Sequence, residues 1–249
     1  MDLGIAGRRA AVAAASKGLG FGVADALARE GVRVAICSRD QTEIEAAAAR
    51  IGPDAIPIVA DVGTVDGATG FVRDAHEALG GPIDILVPNA GGPPPGDFAH
   101  TTVDQYLTAF ELNCRGAIAM CYDTVPAMRA QKWGRVLAIT SIAVRQPIAG
   151  LILSNTARAG LTAFLRTLAR EVAADGVTVN SLLPGLHATE RLKGLYGGNA
   201  ADAAAGIPAG KVGDPADFGA MAAFLCSEHA NYVTGTAIQV DGGAYAALL

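Results

Sequence analysis

Residues Ala10–Gly22 read AAVAAASKGLGFG. Six small apolar residues run into Ser16-Lys17-Gly18-Leu19-Gly20, and three glycines fall at alternate positions 18, 20 and 22. A short apolar strand that ends in a glycine-rich turn and opens a helix is suited to a pyrophosphate. Glycine lets the backbone approach the phosphates, and the helix N-terminus supplies N–H donors at the positive end of its dipole. The same residues also fit an ordinary tight turn between a strand and a helix. Context decides between the two, because the phosphate reading requires a βαβ unit around the turn.

Outward from this turn, apolar runs recur along the chain at Ala10–Ala14, Val32–Ser38, Ala55–Ala60, Ile83–Val87, Arg135–Thr140, Val177–Leu183 and Ala237–Val240. They are nearly continuous rather than alternating, as strands covered on both faces should be. Amphipathic stretches lie between them, the clearest being Leu161, Phe164, Leu165, Leu168 and Val172 at helical spacing. Strand–helix alternation without a linker predicts an α/β fold, a single-domain Rossmann-type doubly wound parallel sheet of seven strands over residues 1–249. Two segments break the rhythm: Gly91–Phe98 (GGPPPGDF) and the small-residue stretch Leu186–Gly213. Both follow strands at their carboxyl ends, where ligands bind, and the second is expected to act as a lid.

Composition narrows the function classes. Of 249 residues 51% are hydrophobic and 17% charged, against about 25% charged in an average domain, so a well-buried core is expected and disorder is excluded. The net charge of −5, without a Lys/Arg cluster, argues against nucleic acid as a partner. Cys37, Cys114, Cys121 and Cys226 show no C-x-x-C spacing and read as buried thiols. The N-terminal apolar patch is broken by charge and is too short to span a membrane, so a soluble cytoplasmic protein is expected.

Ordered blocks then make the pattern specific. They are AASKGLG, SRD at the end of the second strand, Asp61-Val62, NAGG at 89–92 and Asn113 in a helix. Ser141 follows the fifth strand, and VTVNSLLPG at 177–185 and VTG…VDGG at 233–243 complete the series. Over essentially its whole length the chain resembles the short-chain dehydrogenases/reductases, and in particular the β-ketoacyl-carrier-protein reductases of bacteria. The resemblance implies a nicotinamide cofactor held by Ser16, Lys17, Gly18, Leu19 and Gly20. It places Asp61 and Val62 at the adenine, Asn89, Ala90 and Gly91 at the ribose, and Pro184, Gly185 and Thr189 beside the nicotinamide. It also implies a homotetramer, here through the apolar helices Val103–Met128 and Asn155–Ala174. Where the family's turn opens with Thr and Gly, this chain has Ala13 and Ala14, and Pro88 stands where Asn is frequent. Ala14 must keep a negative φ or accept strain, so dinucleotide binding is expected to be weakened or rearranged.

Ser38 and Arg39 occupy the place where an acidic residue would take the ribose 2′-hydroxyl. With Lys17 they offer a hydroxyl and two cations to a 2′-phosphate, which points to NADP(H); a solvated loop arginine is the competing reading. Asp40 comes one residue too late for the ribose and is expected to cap the helix opening at Gln41.

The reaction centre departs from the family. Relatives of this kind use Asn, Ser and Tyr, with Lys four residues after the Tyr. Asn113 and Ser141 match, but the Tyr and Lys positions hold Ser154 and Arg158. None of Tyr106, Tyr122, Tyr196, Tyr232 and Tyr245 has Lys four residues on, and Lys17, Lys132, Lys193 and Lys211 all lie elsewhere. Ser is a far poorer acid than a phenol, and Arg stays charged, so it stabilises an oxyanion without passing a proton. Three readings stand: carbonyl reduction to an alcohol with the proton from water or His187, a catalytically silent NADP-binding regulator or partner subunit, and a redox-neutral lyase or isomerase. Arg158 as a surface ion pair and Ser154 as a filler of the vacated tyrosine volume are the plainer alternatives. Arg145 is read as a ligand for an acidic substrate or a solvated charge, and Ile142, Ile148, Leu151 and Ile152 as a pocket wall or packing.

Overall fold

The computed structural model describes residues 1–190, 192 and 200–248. Seven strands alternate with helices: β1 (Arg9–Val12), α1 (Gly18–Arg29), β2 (Arg33–Ser38), α2 (Gln41–Ile51), β3 (Ile56–Val59), α3 (Val65–Leu79) and β4 (Ile85–Val87). Next come α4 (Val103–Phe110), the π-helical turn Glu111–Arg115, α5 (Gly116–Ala130), β5 (Gly134–Ile139), α6 (Ile152–Val172) and β6 (Val177–Pro184). The chain closes with α7 (Ala200–Ala204), α8 (Pro215–Leu225) and β7 (Ala237–Val240). All seven strands form one parallel sheet in the order β3-β2-β1-β4-β5-β6-β7. The order reverses between β1 and β4, which opens a crevice at their carboxyl ends.

Strand periodicity sends neighbouring residues of β1 to opposite faces. Ala11 and Ala13 join Phe71, Leu79, Met120, Leu161 and Leu165 under α3, α5 and α6. Ala10 and Val12 join Val23, Leu27, Ile44, Phe218 and Leu225 under α1, α2 and α8. Burial of each large side chain such as Phe71 or Phe218 is worth about 1.5–3 kcal/mol. The small residues of β1 let both helical layers close on the sheet. On the second face α1 and α8 cross with backbones in contact, since a Cβ at Gly219 would lie 2.1 Å from the Gly22 carbonyl oxygen.

Several expectations need correction. The outer strands are not continuous buried runs. In β3 half-buried and exposed residues alternate, and β7 is half-buried throughout, because an edge strand is incompletely covered. β1 ends at Val12 rather than Ala14, since Ala14 turns to φ +49° and cannot continue a strand. The stretch expected as one helix, Val103–Met128, is divided by the π turn. The helix expected from Asn155 begins at Ile152. The four cysteines are free and buried, as expected, and burial pushes the thiols of Cys37, Cys121 and Cys226 up to about 12. No helix among the described residues is long and apolar enough to cross a membrane.

Candidate functional site

The turn after β1 is held from two sides. Asn89 Nδ2, just past β4, donates to the carbonyls of Ala13 (3.2 Å) and Ala14 (3.1 Å). This side-chain link ties the turn to the Asn89-Ala90-Gly91 segment in a chain without the family's threonine. Gly18 has φ +63°, and a Cβ on Gly20 would sit 2.5 Å from the Ala14 carbonyl oxygen and 2.9 Å from Asn89 Nδ2. Side chains are therefore excluded where the backbone must meet a ligand. α2, α3 and α8 are capped by the side chains of Asp40, Thr64 and Asp214. α1 starts at Lys17 with no side-chain cap and no acid in its first turn, so its amide donors face the crevice. That donor set fits a pyrophosphate.

A cleft of about 890 Å³ runs from this turn along the carboxyl ends of β2, β1, β4, β5 and β6. It is bordered by every residue expected to hold the dinucleotide, and also by Ser141, Ser154, Arg158 and His187. Of the residues expected at the reaction centre, Asn113 lies outside it, in a void of about 10 Å³ lined also by Ala90 and Arg158. Asp40 caps α2 as expected, accepting from Glu43 N–H at 2.8 Å. Glu43 itself was not foreseen. It borders the cleft, and its carboxylate accepts from Lys17 Nζ at 3.0 Å and Ser16 Oγ at 3.2 Å. The spacing Asp40-x-x-Glu43 reads locally as a capping box, which hides this reach to the phosphate turn.

At the inner end Ser141 caps the short 3₁₀ turn Ile142–Val144, its Oγ accepting from Ala143 N–H at 3.1 Å. Ser154 is buried one helical turn before Arg158, and both face the cleft. Arg158 is 8% exposed and so not a surface charge. Its guanidinium donates to the carbonyls of Ile139 (3.1 Å), Thr140 (3.3 Å) and Ala90 (3.3 Å), joining the ends of β4 and β5. Asn113 sits in the π turn with Nδ2 donating to Gly91 O at 2.7 Å, and its Oδ1 has no partner among the described residues. Local widening of the helix at a π turn is a frequent mark of a functional position. The side chain of Asn155, next to Ser154, is turned to the loop before α6, its Nδ2 donating to Ile148 O at 3.0 Å.

His187 is buried edge-on against Phe218, with ring centroids 5.2 Å apart, and pairs by a β-bridge with Gly213. Burial lowers its pKa, partly opposed by the Gly185 carbonyl and Asp214, so the ring is neutral near pH 7. That disfavours it as the replacement acid. Of the expected lid Leu186–Gly213, residues 191 and 193–199 lie outside the described residues; Ala188 N–H to Gly213 O and Gly213 N–H to Leu186 O, both 2.9 Å, join its two ends. Ile142, Ile148 and Leu151 border the cleft, whereas Ile152 packs with Ala109, Leu153 and Ala157. Arg145 points away from it, donating to Ala237 O at 3.1 Å.

Comparison with known proteins agrees with this fold. Residues 13–245 match a family model described as enoyl-(acyl carrier protein) reductase. The chain is 32% identical over 246 residues to dehydrogenase/reductase SDR family member 4 of Oryctolagus cuniculus, covering 96% of this chain and 94% of that protein. It is 30% identical over 239 residues to 3-oxoacyl-(acyl-carrier-protein) reductase FabG of Escherichia coli, covering 96% and 98%. A crystal structure of L-sorbose reductase from Gluconobacter frateurii, complexed with NADPH and L-sorbose, superposes over the full length of both chains with a TM-score of 0.93 at 30% identity. A parallel sheet in this strand order, a glycine turn at its switch point and matches along nearly the whole chain lead to one conclusion: the protein belongs to the short-chain dehydrogenase/reductase family.

Proposed function

We propose that the chain is an NADP(H)-dependent oxidoreductase that reduces a carbonyl to an alcohol, in the manner of the 3-oxoacyl-carrier-protein reductases, with a Ser/Arg reaction centre. The observation that carries the reading is the single cleft joining the uncapped N-terminus of α1, the Ser38-Arg39 pair at the end of β2, and the Ser141, Ser154 and Arg158 group. NADPH in the complex of the sorbose reductase supports the cofactor.

When bound, the dinucleotide supplies the hydride. The turn and the α1 amides orient its pyrophosphate, and Ser38, Arg39 and Lys17 receive the 2′-phosphate. Asp61 and Val62 flank the adenine, Asn89, Ala90 and Gly91 the ribose, and Pro184, Gly185 and Thr189 the nicotinamide end. Ser141 and Ser154 donate hydrogen bonds to the substrate oxygen, and the fixed positive charge of Arg158 steadies developing negative charge there. Arg158 holds no exchangeable proton at working pH, so the alkoxide takes its proton from water. Asn113 positions Gly91 through its amide. A second reading, an NADP-binding chain without catalysis, is favoured by the commitment of the Arg158 guanidinium to three backbone carbonyls.

Calorimetric titration with NADPH and NADH comes first, and binding of NADPH at least tenfold tighter than NADH is expected. The double variant Ser154→Tyr, Arg158→Lys is then expected to raise reduction of simple ketones at least tenfold, since a phenol beside an ammonium is a far better acid than a serine. Absence of binding of either dinucleotide would sink the oxidoreductase reading. Binding without turnover in either form would favour the silent one.

A further inference from the structure

At the outer end of the cleft, Lys17, one of the cations assigned to a 2′-phosphate, is already engaged together with its neighbour Ser16. Lys17 Nζ and Ser16 Oγ both donate to the Glu43 carboxylate, at 3.0 and 3.2 Å, beside Ser38 and Arg39. Helix α2 does not need that carboxylate to start. The Glu43 N–H is capped by Asp40, and the Asp40 N–H donates to Ser38 Oγ at 3.3 Å rather than to Glu43. A capping-box glutamate would turn back to its own cap. This one reaches across to a turn 26 residues earlier.

We propose that Glu43 is a specificity-determining residue that restrains the preference of the site for the 2′-phosphorylated dinucleotide. The inference rests on the NADP(H) reading above. A 2′-phosphate competes with the carboxylate for the Lys17 ammonium, so Lys17 must exchange one anion for another. The displaced carboxylate then stays beside a like charge. The non-phosphorylated dinucleotide presents a ribose 2′-hydroxyl at that place, which donates to a carboxylate without repulsion. One side chain therefore acts with opposite sign on the two cofactors, and the cation count around the site overstates its selectivity.

Glu43→Gln keeps the shape and hydrogen-bonding capacity and removes the charge, at a half-exposed position where the fold tolerates it. Calorimetry on the whole protein with NADPH and with NADH reads the effect directly. NADPH is expected to bind about two- to fivefold tighter in the variant, in keeping with the strength of an exposed ion pair, and NADH equally or more weakly. With Lys17 also changed to Met, the NADPH gain should vanish. A ratio of the two affinities that moves less than twofold, or a loss of NADPH affinity in Glu43→Gln, overturns the proposal. Wild-type protein that binds neither dinucleotide would instead overturn the reading on which it rests.

Discussion

Ala14 carries the sharpest local conflict between sequence and backbone. It adopts φ +49°, a region in which the Cβ of an L-residue crowds the following carbonyl at a cost of about 1–2 kcal/mol. The conformation persists because the Ala13 N–H donates to Val87 O, the Ala15 N–H to Cys37 O, and Asn89 binds the Ala14 carbonyl. Ala14→Gly relieves the crowding and loses part of the gain to the larger freedom of the unfolded chain. A net stabilisation of about 0.5–1 kcal/mol is expected, seen as a rise of about 2 °C in thermal unfolding. An unchanged or lowered melting temperature would show that the turn tolerates alanine without strain. The choice between strain and negative φ was visible at this residue from sequence. Its outcome was not, because it depends on hydrogen bonds to β2 and to β4 and the segment after it.

Among the elements, the neck joining β6 to α8 has a pH dependence of its own. His187 is held between the Gly213 backbone and the Phe218 ring, and burial depresses its pKa below the ordinary 6.5. Above about pH 6.5 folded and unfolded chains both carry a neutral ring, and the group adds no slope. As pH falls below that value the unfolded chain takes up a proton that the folded one resists, so stability declines until the folded pKa is passed. His187→Gln is therefore expected to flatten the loss of melting temperature between about pH 7 and pH 5 relative to wild type. Equal slopes would remove His187 as the source. In sequence this residue stood out as a possible acid in a loop. What it lacked was the partner ring, 31 positions away, that takes it out of water.

For the whole molecule, the helices assigned to an interface present unusual surface. Val103 and Leu107 lie one turn apart on α4 and are 86% and 64% exposed, and Tyr122 on α5 is 72% exposed. Large apolar side chains on neighbouring turns of one helix are surface that an assembly would cover, which supports the expected oligomer. A homotetramer is expected in light scattering, and Val103→Glu with Leu107→Glu is expected to shift it to a smaller species. A wild-type monomer would remove the assignment.

The doubly wound sheet, its seven strands and the glycine turn after β1 were legible from the chain alone. Apolar runs, helical spacing and glycines at 18, 20 and 22 are local patterns, and each states its own secondary structure. So were the positions of Ser154 and Arg158, which follow from counting along one helix. Tertiary structure decided what those residues do with their polar groups. Arg158 turned from a possible surface charge into a clamp on three carbonyls, and Glu43 from a helix-start residue into the counter-ion of Lys17. The physical reason is that burial and ion pairing depend on which distant strand ends meet at the switch point, and no local pattern encodes those distances.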